Sequence, residues 1–182
     1  MTAKIQRREF IKNGVAAGAV LAGASNTALG SNVLGANDRI RIALIGAGRQ
    51  GRGDMRTFMR NPDVQIVGVC DVYSPHLDQA IKDNKLEGVK TYKDFRQALD
   101  SKDVDAVIIG SPDHWHALHA VMACQAGKDV YVEKPISVTI DEGRKMVQAA
   151  RKYNRIVQVG TQQHSGDHYQ KAREIISSGQ IG

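Results

Sequence analysis

Five short groups of residues in this 182-residue chain have the types and spacing for chemistry. The first is the turn Gly46-Ala47-Gly48-Arg49-Gln50-Gly51, and the second is Asp71, 20 residues after Gly51. A G-x-G-x-x-G turn between a strand and a helix, with an acid about 20 residues on, is the arrangement that dinucleotide binding requires. Gly46 lets the chain turn sharply, Gly48 admits a pyrophosphate close to the backbone, and Gly51 lets helix and strand pack together. Arg49 and Gln50 occupy the variable positions of the loop, where the helix start offers free N–H groups to phosphate. Asp71 suits the two hydroxyls of an adenosine ribose and repels a 2′-phosphate. It therefore favours NAD over NADP, although the basic Arg49 nearby partly offsets it. The third group is Gly110-Ser111-Pro112-Asp113-His114-Trp115-His116 with His119, the fourth Glu133-Lys134-Pro135, and the fifth Gln162-Gln163-His164.

In the fourth group, a lysine held in a cleft can have its pKa lowered and its charge turned on a developing alkoxide. Taken alone, Lys134 reads more readily as a surface lysine paired with Glu133, and its position and motif reverse that reading. His114, His116 and His119 are spaced two and three apart at a helix start, with Asp113 the sole acid in their segment and no cysteine in it. A zinc site needs three or four protein ligands, so no metal is expected here. His116 reads instead as lining for a cofactor or substrate, with capping or a surface position as the alternative. Trp115, Leu118 and Met122 recur at i, i+3 and i+7, the spacing of a helix core face, and Trp115 at the helix start can also shield a bound ring. His76 and His168 are expected to face solvent.

Alternating strands and helices must position these groups. The apolar runs at 40–45, 64–70, 106–109, 130–132 and 156–159 read as strands. Helical segments fall between or after them, over 51–60, 74–84, 94–99, 115–126, 139–153 and 167–178. Ser74-Pro75 and Gly127 mark helix ends, and Thr139 with Glu142 forms a capping box. Such alternation predicts an α/β fold with a parallel sheet covered on both faces, whose ligands gather at the carboxyl ends of the strands. Each chemical group lies just past a predicted strand.

With these residues in order, Arg39 to Gly182 resembles the glucose–fructose oxidoreductase/inositol dehydrogenase/MocA family. The carriers are Gly46–Gly51, Asp71, the Ser-Pro…His run at Ser111–His116, and Glu133-Lys134-Pro135. The resemblance implies a doubly wound Rossmann domain over 37–160 that binds NAD, with Ser111, Pro112 and His116 near its nicotinamide half. It places Glu133 and Lys134 beside the nicotinamide ring, with Lys134 as the active-site lysine; Gln162, Gln163 and His164, past the last strand, are expected to meet the nicotinamide amide or the substrate. It also implies an oxidoreductase acting on a sugar or cyclitol hydroxyl. The alternatives are a hydrolase or lyase that retains NAD and works by transient oxidation, and a non-catalytic NAD-binding fragment. The family's second half, an open-faced α+β substrate domain with an Asp-x-x-x-His pair, is expected to start near 161. The chain stops at Gly182, so a truncated product is expected, with the full-length form a homo-oligomer.

Hydrophobic residues make up 42% and charged residues 24%, ordinary for a soluble globular domain. The net charge is +6, of which residues 1–36 carry +3 through Lys4, Arg7, Arg8, Glu9 and Lys12. The dispersed remainder does not call for nucleic acid. Cys70 and Cys124 fall in apolar elements and read as small core side chains. Arg7-Arg8-Glu9-Phe10-Ile11-Lys12 followed by the apolar run 14–24 resembles a twin-arginine signal. Its cleavage is expected at Ala24, Ala28 or Ala36, and the apolar run is too short for a stable membrane anchor. A periplasmic or secreted protein that leaves the cell with NAD already bound follows as the expectation.

Overall fold

The apolar run Ile40–Ile45 forms the central strand, β1, of a six-stranded, all-parallel sheet. The structure, a computed structural model, describes residues 39–181; the signal-like segment lies outside the described residues. The other strands are β2 (Val64–Cys70), β3 (Lys90–Tyr92), β4 (Ala106–Ile109), β5 (Asp129–Glu133) and β6 (Val157–Gly160). Their order across the sheet is β3-β2-β1-β4-β5-β6, the doubly wound order in which the connections reverse direction beside the first strand. The crossovers carry helices α1 (Arg49–Phe58), α2 (Ser74–Asn84), α3 (Phe95–Asp100), α4 (Asp113–Gln125) and α5 (Ile140–Lys152). A 3₁₀ turn, Gln162–Ser165, and helix α6 (Asp167–Ser177) follow β6.

Strand alternation builds two cores from one sheet. Ile42 and Leu44 point to the side of Met55, Leu77 and Ala80, beneath α1 and α2. Ala43 and Ile45 point the other way, to Phe95, Leu99, Ala120, Ala123 and Met146 of α3, α4 and α5. A strand buried on both faces must be apolar throughout, as β1 is from Ile42 to Ile45.

Register then sets the site. Ile45 lies level with Cys70 on one side and Ile109 on the other, Ile109 with Val132, and Glu133 with Gly160. Gly46, Asp71, Gly110, Glu133 and Thr161 therefore leave the sheet along a single edge.

Several expectations need correction. β3 was not anticipated; it joins β2 at the sheet margin through Gly68–Cys70. The helix after the glycine loop begins at Arg49 rather than Gly51, and the fourth at Asp113 rather than Trp115. Ser74 is the first residue of α2 rather than its cap, which is Tyr73. The core face of α4 is not Trp115, Leu118 and Met122: the first two are 41% and 43% exposed and Met122 is half-buried. The buried stripe is His116, Ala117, His119, Ala120, Ala123 and Cys124, whose three alanines and cysteine let α4 lie close against the sheet and α5. The Thr139 capping box is present, with Glu142 N–H donating to Thr139 Oγ1 at 3.3 Å and Thr139 N–H to Glu142 Oε2 at 3.0 Å.

Candidate functional site

Gly46 holds φ +91, a conformation in which a side chain is strained, and a Cβ there would come within 2.7 Å of the Gly110 carbonyl carbon. The β1 and β4 ends can approach this closely only because both residues lack side chains. Gly110 packs in turn on Gly51, where an added Cβ would stand 2.6 Å from the Gly51 Cα. Gly48 differs: nothing lies within 4 Å of the Cβ position. It caps α1 with no side-chain hydrogen bond, and the first turn of α1 carries no acid. The site thus has an open glycine and uncapped N–H groups at a helix start, with Arg49 and Gln50 exposed beside it. That is a cradle for phosphate.

Asp71, at the end of β2, closes the loop from the side. Its Oδ2 accepts the Ala47 N–H at 2.8 Å and its Oδ1 the Tyr73 N–H at 2.9 Å. His76 does not simply face solvent: its Nδ1 lies 3.2 Å from Asp71 Oδ2. The Asp71 carboxylate is 10% exposed and opens on a cavity of about 420 Å³ lined by Gly46, Lys93, Phe95, Arg96, Trp115 and His119, with Ser111 and Pro112 at its edge. Lys93 reaches back to the Val72 carbonyl at 3.3 Å and to the Ser74 hydroxyl. Trp115 stacks on His119, 5.4 Å between centroids and 16° between planes. Burial pushes the His119 pKa down to about 4, helped by His116 and Arg96, so the ring is neutral at pH 7. Its Nδ1 lies 3.1 Å from Ser111 Oγ.

His116 lines no part of this cavity. It is 1% exposed, with Nδ1 2.7 Å from the Pro135 carbonyl oxygen and Nε2 2.8 Å from that of Ser111. The imidazole spans the loops after β4 and β5.

At the other end of the edge, Glu133 is 2% exposed while Lys134 extends into solvent, its N–H donating to Glu133 Oε2 at 3.0 Å. Gln50 Nε2 donates to Glu133 Oε1 at 3.3 Å and to Asp54 Oδ1 at 3.0 Å. Gln162 also donates to Glu133 Oε1, and to Asp54 Oδ1 at 3.4 Å. Burial, then the Glu133 charge, pushes the Asp54 carboxyl up to about 6. Burial with the same two acids pushes the nearby Tyr131 phenol up to about 12. Gln163 is exposed and stands apart from this network, in which its neighbour Gln162 takes part. Asp54, Lys93 and Arg96 were missed from sequence. Only Asp54 had a usable signal, since it stands four residues from Gln50 and so on the same helix face. Among the described residues no three His, Cys, Asp or Glu side chains gather as a metal site.

The model of an oxidoreductase family with an NAD-binding Rossmann fold, Gfo/Idh/MocA, matches residues 40–161. The chain belongs to this family. The inositol 2-dehydrogenase of Salmonella typhimurium (strain LT2) is 32% identical over 145 residues, covering 79% of this chain and 43% of the relative. A glycosyl hydrolase family 109 protein of Shewanella pealeana is 30% identical over 174 residues, covering 82% and 38%. The structure of scyllo-inositol dehydrogenase from Lactobacillus casei with bound NAD(H) and scyllo-inositol superposes with a TM-score of 0.70 at 29% identity, covering 79% and 42%. The chain thus spans about two fifths of the length of the relatives it matches.

Proposed function

We propose that this Gfo/Idh/MocA chain is the nucleotide-binding part of an NAD-dependent oxidoreductase that acts on a sugar or cyclitol hydroxyl. The observation that carries the reading is the edge itself: an open glycine cradle, a shielded acid, and an exposed lysine beyond a buried glutamate, all on one line of strand ends. Bound NAD supplies the hydride acceptor. The chain's own residues do the rest. Gly48 and the first turn of α1 bind pyrophosphate. Asp71 takes a ribose hydroxyl. Glu133 fixes the Lys134 backbone so that the ammonium group faces the substrate hydroxyl and eases its proton loss. Ser111, Pro112 and Trp115 wall the cavity, His116 fixes the loops around it, and Gln163 stands on the substrate side. The inositol specificity named for the relatives supports a polyol substrate.

A second reading, a redox-neutral glycosidase or lyase that retains its NAD, is favoured by the family 109 likeness and by the signal-like N-terminus. There bound NAD would take a hydride from a sugar carbon and later return it, so that the neighbouring C–H could lose its proton, the leaving group could depart and, in the glycosidase, water would add in its place. Twin-arginine export with NAD already held, a periplasmic or secreted location, and a homo-oligomer built through a further α+β domain complete the proposal.

Mass spectrometry of the protein recovered from its exported fraction tests export and retention together. A mature N-terminus near Ala24–Ala36 with co-purifying NAD is expected; a nucleotide-free, uncleaved protein refutes both. Net NADH formation with inositols or free sugars supports the dehydrogenase, and glycoside cleavage without net NADH supports the second reading. In the active form, Lys134→Ala is expected to lower kcat about 10²-fold with NAD affinity retained. An unchanged kcat removes Lys134 from the chemistry.

A further inference from the structure

Asp54 and Glu133 are two buried acids, 6% and 2% exposed, that share the same two amide donors, Gln50 and Gln162. No ion pair of the described residues involves either of them. Arg52, on the same helix, turns away and donates from Nη1 to the Ala47 carbonyl oxygen at 2.6 Å. The phenol of Tyr131 is the other titratable group beside the pair. His164 lines the adjoining cavity of about 500 Å³ together with Asp54. Asp54 Oδ2 is buried without a hydrogen-bond partner among the described residues. A buried carboxylate oxygen without a partner is costly, whereas the protonated form places an O–H there. Burial and the neighbouring Glu133 charge both favour the protonated form of Asp54, so below about pH 6 the pair holds a proton.

The pair joins the second turn of α1 to the end of β5, where Glu133 immediately precedes Lys134. We propose that Asp54 and Glu133 form a one-proton carboxyl pair that senses the charge of the nicotinamide. NAD⁺ binding expels the proton to the buffer, while NADH, whose ring is neutral, leaves it in place. The inference rests on the reading that Glu133 and Lys134 flank the nicotinamide. Below about pH 6 one negative charge of the pair belongs to the free protein, and there the second appears when a cation is set beside it. Asp54 is then a positioning residue for the oxidised cofactor, matching the protein's charge to the state that accepts a hydride. The consequence is a pH-dependent preference between the two redox forms. Each expelled proton makes the NAD⁺ to NADH affinity ratio rise up to about tenfold per pH unit below about pH 6 and level off above about pH 7.

Calorimetric titration of the chain with NAD⁺ and with NADH, in two buffers of different ionisation enthalpy, measures the protons directly. At about pH 5.5, release approaching one proton per NAD⁺ and none per NADH is expected, falling to none for either at about pH 8. Asp54→Asn is expected to abolish the release and flatten the affinity ratio, while Asp54→Glu retains both. Should Asp54→Asn fail to fold, the wild-type titrations decide alone. Equal proton counts for NAD⁺ and NADH, or release that persists in Asp54→Asn, overturn the inference while leaving NAD binding intact. Failure of either form to bind overturns the cofactor assignment and this inference with it.

Discussion

Asp71→Asn separates the structural duty of this residue from its proposed duty toward the ribose. The carboxylate already accepts from the Ala47 and Tyr73 N–H groups, with His76 Nδ1 3.2 Å from Oδ2. Three of roughly four acceptor positions are thus taken, leaving one for a ribose hydroxyl unless His76 yields. Asparagine offers one oxygen. Facing it toward the Ala47 N–H, which belongs to a residue with no exposed surface, leaves the Asn amide opposite the Tyr73 N–H. The folding cost of that mismatch is about 1–2 kcal/mol. Losing one charge-assisted bond to the ribose costs NAD about 1.5–3 kcal/mol, roughly 10- to 100-fold in Kd. Removing the carboxylate charge relieves a 2′-phosphate at ~5 Å of about 1–3 kcal/mol per unit charge, at an effective dielectric between 20 and 80. NADP affinity should therefore hold or rise while NAD affinity falls, and the selectivity should shrink by about 10²-fold or more. Trp115, the only tryptophan, lines the same cavity and reports both titrations by its fluorescence. A urea melt of the same protein measures the folding cost. If NAD and NADP weaken in equal proportion, Asp71 serves the loop alone and the ribose role falls.

The remaining predictions concern stability and the loop. His119 sits in the fold with a pKa near 4 against an ordinary 6.5. The unfolded chain therefore binds its proton first, and stability is lost as pH falls from 6.5 toward 4, by at most about 3 kcal/mol. Asp54 runs the opposite way: raised from 3.8 to about 6, it stabilises the folded state at acid pH and loses that contribution as pH rises through the same window, also by at most about 3 kcal/mol. The two offset each other in the wild type, so denaturant melts should show a flat profile between about pH 4 and 6, with steep acid lability unmasked in Asp54→Asn; a flat profile in the variant would contradict the burial argument for His119. Thr139→Ala, which removes one arm of the capping box, should cost about 1 kcal/mol in a urea melt and leave NAD binding unchanged. Gly46→Ala must place a methyl against Gly110 and Ser111 at a positive φ. It should lose about 1–3 kcal/mol of stability and abolish NAD binding, and a variant that binds NAD normally would show the loop to be far more pliable than drawn.

The parts of the site that were legible in the sequence are the local ones. Gly46, Gly48, Gly51 and Asp71 act through backbone conformation and spacing, and their spacing survives into the structure unchanged. Thr139 and Glu142 found each other because a capping box spans only one turn. β3 was not legible, since Lys90-Thr91-Tyr92 carries no apolar run and is a strand only because it lies against Gly68–Cys70. The buried face of α4 was misread for the opposite reason. Trp115, Leu118 and Met122 are the loud apolar residues, whereas the stripe that packs consists of alanines, a cysteine and two histidines. Close helix packing rewards small side chains, and hydropathy gives them little weight. The Asp54–Glu133 pair was half visible: Gln50 and Asp54 share a helix face, but only the fold brings Glu133 and Gln162 to them, from 83 and 108 residues away.

The strand order carries a consequence for synthesis. β1 is the first of the described strands to be made, yet its partner β4 follows 64 residues later, the separation between Arg41 and Asp105 where the two strands begin. At translation rates of ~5–20 residues per second, this central strand waits roughly 3–13 s with one edge bare. Until β4 docks, Ile42 to Ile45 offer an unpaired backbone row on a hydrophobic ribbon, the condition under which nascent chains associate wrongly or recruit chaperones. The centre of the finished sheet is thus its most exposed part during birth, and the nucleotide loop that hangs from β1 cannot take its shape before the chain has passed Gly110.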